Sequence, residues 1–188
     1  MGKLAFLFPG QGAQVVGMGK DFFDAYDLAK KRFAEADEAL GYSISKLCFE
    51  GPADQLQLTE HTQPAILTVS VIAAELLREE GIAPEIAAGH SLGEYSALVL
   101  AGVLSFQDAV ALVHKRGAYM QEAVPVGEGA MAAIIGLDDA TIIDACAAAS
   151  AEGAVQAVNF NCPGQTVIAG AEKGVSTAVE LLKEKGAK

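Results

Sequence analysis

Gly89-His90-Ser91-Leu92-Gly93 fits G-x-S-x-G, the spacing of a serine nucleophile carried on a tight turn. A sharp turn between a strand and a helix lifts the Ser91 hydroxyl above the sheet, and a glycine on each side lets neighbouring backbones approach closely. The Leu92 N–H, at the start of the following helix, is then placed to donate to an oxyanion. A chance match is the bland alternative in a chain with 20 glycines. A predicted strand before the motif and a predicted helix after it favour the nucleophile.

Phe8-Pro9-Gly10-Gln11-Gly12-Ala13-Gln14 leaves the first predicted strand at the same end of the sheet, where functional loops of parallel sheets gather. Gln11, between two glycines, offers a second backbone N–H to an oxyanion. A plain turn or a phosphate-cradling loop are the alternatives, although the segment lacks the P-loop Lys-Ser/Thr pair and the G-x-G-x-x-G spacing. Arg116 shares one helix face with Ala109, Val113 and Met120. An arginine on an apolar stripe must meet an anion. It is either half of a structural salt bridge or a bidentate clamp for a substrate carboxylate. Lys115 projects elsewhere and reads as a solvated charge. His61, His90 and His114 supply no convincing general base, since His90 adjoins the nucleophile and the others have no evident partner. Ser91 is therefore left without the base that a serine nucleophile needs.

Holding these groups requires strands that feed helices. Residues 4–8 and 86–90 read as short buried strands. Helices are expected over 22–40, 62–80, 92–101 and 105–123, with Ser105 and Asp108 as a capping pair on the last. The 62–80 helix is apolar on nearly every face and belongs inside a fold. Alternating strands and helices imply a parallel sheet covered on both faces. Residues 125–129 (PVGEG) read as a linker, dividing the chain into 1–126 and 127–188. Beyond it come a strand (130–136), a helix (138–151), a strand (155–160), a turn (161–164), a strand (165–170) and a helix (172–185). That order is one strand short of the ferredoxin-like β-α-β-β-α-β unit. Residues 130–136 (AMAAIIG) would then form an apolar edge without charge or proline to protect it. The chain by itself is expected to be unstable, aggregating or inactive, or covered by another polypeptide.

The chain has 188 residues, 52% of them hydrophobic, which suffices for one good core or one domain with a smaller annex. A formal net charge of -11 excludes the basic footprint of a nucleic-acid binder. Any anionic substrate must be held by a few local cations. Cys48, Cys146 and Cys162 form no paired motif with one another or with histidine, which fits a reducing compartment and suggests no metal site. The apolar runs are too short to cross a bilayer, so a cytoplasmic, membrane-free protein is expected.

Taken together, Phe-Pro-Gly-Gln-Gly near the start, Thr62-Gln63-Pro64-Ala65, Gly89-His90-Ser91-Leu92-Gly93-Glu94-Tyr95, and Lys115-Arg116-Gly117 resemble malonyl-CoA:acyl-carrier-protein transacylases. Gly129-Ala130-Met131-Ala132-Ala133 and Asn159-Phe160-Asn161-Cys162-Pro163-Gly164-Gln165 extend the resemblance over essentially the whole chain. It implies an α/β fold, an α/β-hydrolase-like parallel-sheet domain with a ferredoxin-like small subdomain, both incomplete at the C-terminus. It also implies that Ser91 takes the malonyl group as an ester, with the N–H groups of Gln11 and Leu92 as the oxyanion hole. Arg116 would hold the free carboxylate of malonate, while Gln63 and His90 would line the substrate site. Malonyl-CoA and phosphopantetheinylated acyl-carrier protein would be substrates, with no cofactor. In the family the catalytic His follows the last strand of the small subdomain, so a C-terminal segment or second chain is expected to supply it. A serine hydrolase acting on neutral esters is the catalytic alternative, and Arg116 argues against it; a non-catalytic acyl-carrier binding module or an inactive fragment is the other.

Overall fold

Two short apolar runs, β1 (Ala5–Phe8) and β2 (Ile86–Gly89), pair in parallel with Ala5 opposite Ile86 and Phe8 opposite Gly89. The connection between them carries α1 (Lys20–Ala25), α2 (Asp27–Leu40), α3 (Ile44–Glu50), α4 (Ala53–Leu56) and α5 (Thr59–Glu79). After β2 come α6 (Gly93–Leu100) and α7 (Phe106–Ala123), then β3 (Gly129–Ile135), α8 (Asp139–Ala149), β4 (Val155–Cys162), β5 (Gln165–Ala171) and α9 (Glu172–Glu184). The computed structural model describes residues 3–125 and 127–188; Val126, inside the expected linker, lies outside the described residues. The chain divides into two compact units, Met1–Ala123 and Val124–Lys188.

The first unit is organised around α5. Its Ile66, Leu67 and Ile72 are buried with Phe33 of α2 and Val110 and Val113 of α7 in one core, each such side chain contributing roughly 1.5–3 kcal/mol by leaving water. Pro64 lies inside α5, where its ring removes the N–H that would bond the Glu60 carbonyl. His114 of α7 occupies that carbonyl instead, with Nδ1 3.0 Å from Glu60 O. Three residues further along α7, a Cβ on Gly117 would lie 2.5 Å from the Thr59 carbonyl oxygen. Only glycine lets the two helices approach so closely there.

The structure corrects several expectations. The helix expected over 22–40 is two helices, broken at Tyr26, whose backbone is extended (φ −129°, ψ 130°). Asp27 then falls in the first turn of α2, where its charge meets the positive end of the helix dipole. Residues 41–58 hold α3 and α4, which had no expected counterpart. Helices this short have little propensity of their own and form because Ile44, Cys48 and Leu56 bury against the core. α5 begins at Thr59 rather than Thr62.

The two-stranded parallel sheet is covered on one face rather than both. Phe8 and Gly89 share the face on which α6 lies, whereas Leu7 is 78% exposed and Ile86 53% exposed on the other. An apolar groove of about 460 Å³, lined by Ala5, Leu7, Ile66, Val69, Ala73 and Leu77 among others, runs between β1 and α5.

In the second unit the strands lie in the order β3-β5-β4, all antiparallel, with α8 and α9 packed through Ile142, Cys146, Val175 and Leu182 onto Ile134 and Ile168. Asp138 caps α8 by accepting from the Thr141 N–H at 2.9 Å. β4 runs two residues further than expected, so the hairpin turn is only Pro163-Gly164, with Gly164 at φ 80°. β3 is one of the two edge strands, β4 being the other, and Met131 on it is exposed. That edge is not wholly bare: Ile135 and Lys188 exchange two backbone hydrogen bonds of 2.9 and 3.0 Å.

Candidate active site

β2 delivers the chain into a left-handed turn. Ser91 has φ 51°, the one positive φ outside glycine among the described residues, a conformation that a side chain adopts only at some cost in strain. The flanking glycines make the turn possible. A Cβ on Gly89 would lie 1.9 Å from the Gly93 carbonyl carbon, and one on Gly93 would lie 2.2 Å from the Phe8 carbonyl oxygen. α6 therefore starts directly against the ends of β1 and β2, and Ser91 stands exposed above them. This is the geometry of a nucleophile elbow.

The loop after β1 folds onto the same turn. The His90 N–H donates to Phe8 O at 3.1 Å, and a Cβ on Gly10 would meet His90 O at 2.8 Å. Gln11 follows, its side-chain Nε2 donating to Thr59 Oγ1 at 3.2 Å in the first turn of α5. Among the described residues, the backbone N–H groups of Gln11 and Leu92 have no protein acceptor.

Arg116 comes from α7. Its Nη1 donates to Gln63 Oε1 at 2.7 Å and its Nη2 to Ser91 Oγ at 3.1 Å, with the guanidinium 5.7 Å from the centre of the Tyr95 ring. Among the described residues no carboxylate lies within ion-pair distance of it. Of the two alternatives for Arg116, the described residues supply no partner for a structural salt bridge. Gln63 is fully buried and its amide is fixed at both ends, since Nε2 also donates to Met120 Sδ at 3.3 Å. The expected stripe on α7 runs from buried Ala109 and Val113, through half-buried Arg116, to Met120, which is 45% exposed. It is a core face that opens at the site.

The structure brings Ser91, Arg116 and Gln63 into one hydrogen-bonded chain and lays the Gln11 loop on the elbow. His90 is exposed beside Gly10. The other histidines serve the helices: His61 Nδ1 lies 3.0 Å from Gln55 O, and both His61 and His114 pack against the Tyr42 ring. Sequence reasoning missed the parts of Met120, Tyr95 and His114. The signal for His114 was present, because a proline inside a helix orphans the carbonyl four residues back. Burial, with Asp37 adding to it, pushes the Cys48 thiol up to about 12, away from the thiolate form that reacts. No group of three or more His, Cys, Asp or Glu among the described residues is placed to hold a metal ion. No helix of the described residues is long and apolar enough to cross a membrane.

Comparison with known proteins gives these features a family. The malonyl CoA-acyl carrier protein transacylase of Bacillus subtilis strain 168 is 56% identical over the whole chain, and that of Escherichia coli K12 is 54% identical. The acyl-carrier-protein S-malonyltransferase structure from Burkholderia pseudomallei 1710b superposes with a TM-score of 0.91 at 54% identity, covering all of this chain. The chain spans 60–61% of the length of these relatives. The acyl transferase domain family matches residues 5–188. The chain belongs to that family.

Proposed function

We propose that this chain carries the acyl-accepting half of a malonyl-CoA:acyl-carrier-protein transacylase of fatty-acid biosynthesis. Ser91 Oγ attacks the thioester carbonyl of malonyl-CoA, coenzyme A leaves as the thiol, and the malonyl-Ser91 ester passes its acyl group to the phosphopantetheine thiol of acyl-carrier protein. The N–H groups of Gln11 and Leu92 stabilise the oxyanion of each tetrahedral intermediate. Arg116 holds the free carboxylate of the malonyl group, with Gln63 fixing the guanidinium and His90 on the approach. An imidazole from outside these residues, on a C-terminal segment or a second chain, takes the Ser91 proton and returns it to the leaving thiol. The setting is cytoplasmic and the reaction uses no cofactor.

One observation carries this reading. A half-buried guanidinium with no carboxylate partner among the described residues turns one arm to Ser91 Oγ while Gln63 holds the other, and a neutral ester would leave that charge without a counterpart. Structural relatives include a malonyl-transacylase in complex with its type II polyketide-synthase acyl-carrier protein, 48% identical with a TM-score of 0.93, which favours the same class of acceptor. Intact-mass analysis after incubation of the complete protein with malonyl-CoA tests the assignment. One malonyl adduct is expected, located to Ser91 by peptide mapping and lost in Ser91→Ala. An adduct that survives in Ser91→Ala refutes it.

A further inference from the structure

The Arg116–Ser91 contact has a chemical consequence beyond substrate binding. Attack on a carbonyl uses a lone pair of Ser91 Oγ, and that oxygen accepts a hydrogen bond from Arg116 Nη2 at 3.1 Å. A charge-assisted donor draws electron density from the oxygen it bonds, and such bonds are about twice as strong as neutral ones. The same guanidinium is anchored elsewhere. Its Nη1 bond to Gln63 Oε1 is shorter, at 2.7 Å, and Gln63 is buried and tied to Met120. The Tyr95 ring lies 5.7 Å from the guanidinium, a contact that depends on charge more than on the angle within the guanidinium plane. Nη2 is therefore the arm able to change partners while Nη1 stays put.

We infer that Arg116 is a latch on the nucleophile as well as a clamp: it restrains Ser91 Oγ, and a carboxylate on the acyl donor takes over Nη2 and releases the hydroxyl. An ionised carboxylate is a stronger acceptor than a neutral hydroxyl, so the exchange is downhill for a dicarboxylic acyl group. A neutral acyl group has nothing with which to displace Ser91. Discrimination between malonyl and neutral donors then contains a rate term in the acylation step, added to the binding term. The inference rests on the proposal that Arg116 receives the substrate carboxylate.

The test separates the two. In the complete protein, Ser91 is labelled with diisopropyl fluorophosphate, an uncharged reagent. The Oγ–P bond forms as the P–F bond breaks, fluoride leaves, and the hydroxyl proton passes to the imidazole base and from there to solvent. Formate is small enough to engage the guanidinium without filling the acyl site. It should speed labelling of the unaltered protein by about tenfold, the rate equivalent of removing one hydrogen bond to a charged donor. Arg116→Gln should be labelled at the faster rate with or without formate. If formate competes with malonyl-CoA yet leaves the labelling rate unchanged, the clamp stands and the latch is overturned. If formate neither competes nor accelerates, the clamp is overturned and the latch with it. Both formate measurements use the unaltered protein, so they decide the matter even if Arg116→Gln fails to fold.

Discussion

Arg32 reaches α5 from α2, and Arg116 reaches it from α7. Both are half-buried and both lie near an aromatic ring, Arg32 over Phe106 at 5.0 Å and Arg116 over Tyr95 at 5.7 Å. Their partners differ in kind. Arg32 grips both oxygens of Glu75, with Nε 2.7 Å from Oε2, and its Nη1 lies 2.7 Å from Glu35 Oε2. The bond to Glu75, more than offsetting the effect of burial, holds the Arg32 pKa above its ordinary value. Arg116 has an amide oxygen and a hydroxyl, both neutral. Among the described residues, one helix thus meets two cations, at Glu75 with carboxylates to balance the charge and at Gln63 without. The first arrangement fastens helices together. The second leaves a guanidinium without a counter-charge among the described residues.

If that distinction holds, exchanging each arginine for alanine should move different measurements. Arg116→Ala should lower the preference for malonyl-CoA over acetyl-CoA by about a hundredfold, the equivalent of a charge-assisted bidentate pair in a partly desolvated site. Its stability should fall by only about 1 kcal/mol, because the buried Gln63 Oε1 loses its donor but no carboxylate is abandoned. Arg116→Lys should recover only part of the preference, because an ammonium lacks the planar fork. Equal losses with both donors would mean that Arg116 is structural after all.

Arg32→Ala should show the reverse pattern. It leaves Glu75 and Glu35 facing the same vacated site, and urea denaturation should report a loss of about 2 kcal/mol. That is below the figure for a fully buried pair, because the Arg32 and Glu75 side chains remain 25% and 21% exposed. The malonyl-to-acetyl preference should be unchanged. A third substitution makes the two sites alike. Gln63→Glu gives Arg116 a carboxylate of its own, which should raise KM for malonyl-CoA by about tenfold while leaving acetyl-CoA little affected. If malonyl-CoA binds Gln63→Glu as well as the parent, then Arg116 does not hold the malonyl carboxylate.

How much of this contrast was visible in the sequence depends on the range of the interaction. The elbow was legible because its evidence is local: two glycines, a serine, an apolar run before and a helical period after. The elements of residues 129–188 were legible for the same reason, with Asp138 marking the start of the helix, although the turn expected over 161–164 is only Pro163-Gly164. Spacing along α7 placed Arg116 on the face of Ala109 and Val113, but whether it meets a carboxylate is decided by Gln63, fifty-three residues away on α5. α3 and α4 escaped because helices of seven and four residues are held by packing rather than by their own periodicity. The break at Tyr26 left no proline or glycine to announce it.

The smallest expected effect concerns the means by which α7 is held to α5 beside Arg116, in place of an ion pair like that of Arg32. Pro64 leaves the Glu60 carbonyl without its helical donor, and His114 Nδ1 takes it at 3.0 Å. His114→Ala should therefore lower stability by about 1 kcal/mol, the net worth of one hydrogen bond plus some lost packing on Tyr42. The informative experiment is a double-mutant cycle with Pro64→Ala. Alanine at 64 restores an N–H that bonds the Glu60 carbonyl within α5, so the carbonyl no longer depends on His114. In that background His114→Ala should be milder than in the parent by several tenths of a kcal/mol, a coupling that urea denaturation of the four proteins resolves. Strict additivity would mean that His114 contributes through its ring packing alone, and that close approach at Gly117 is enough to place Arg116.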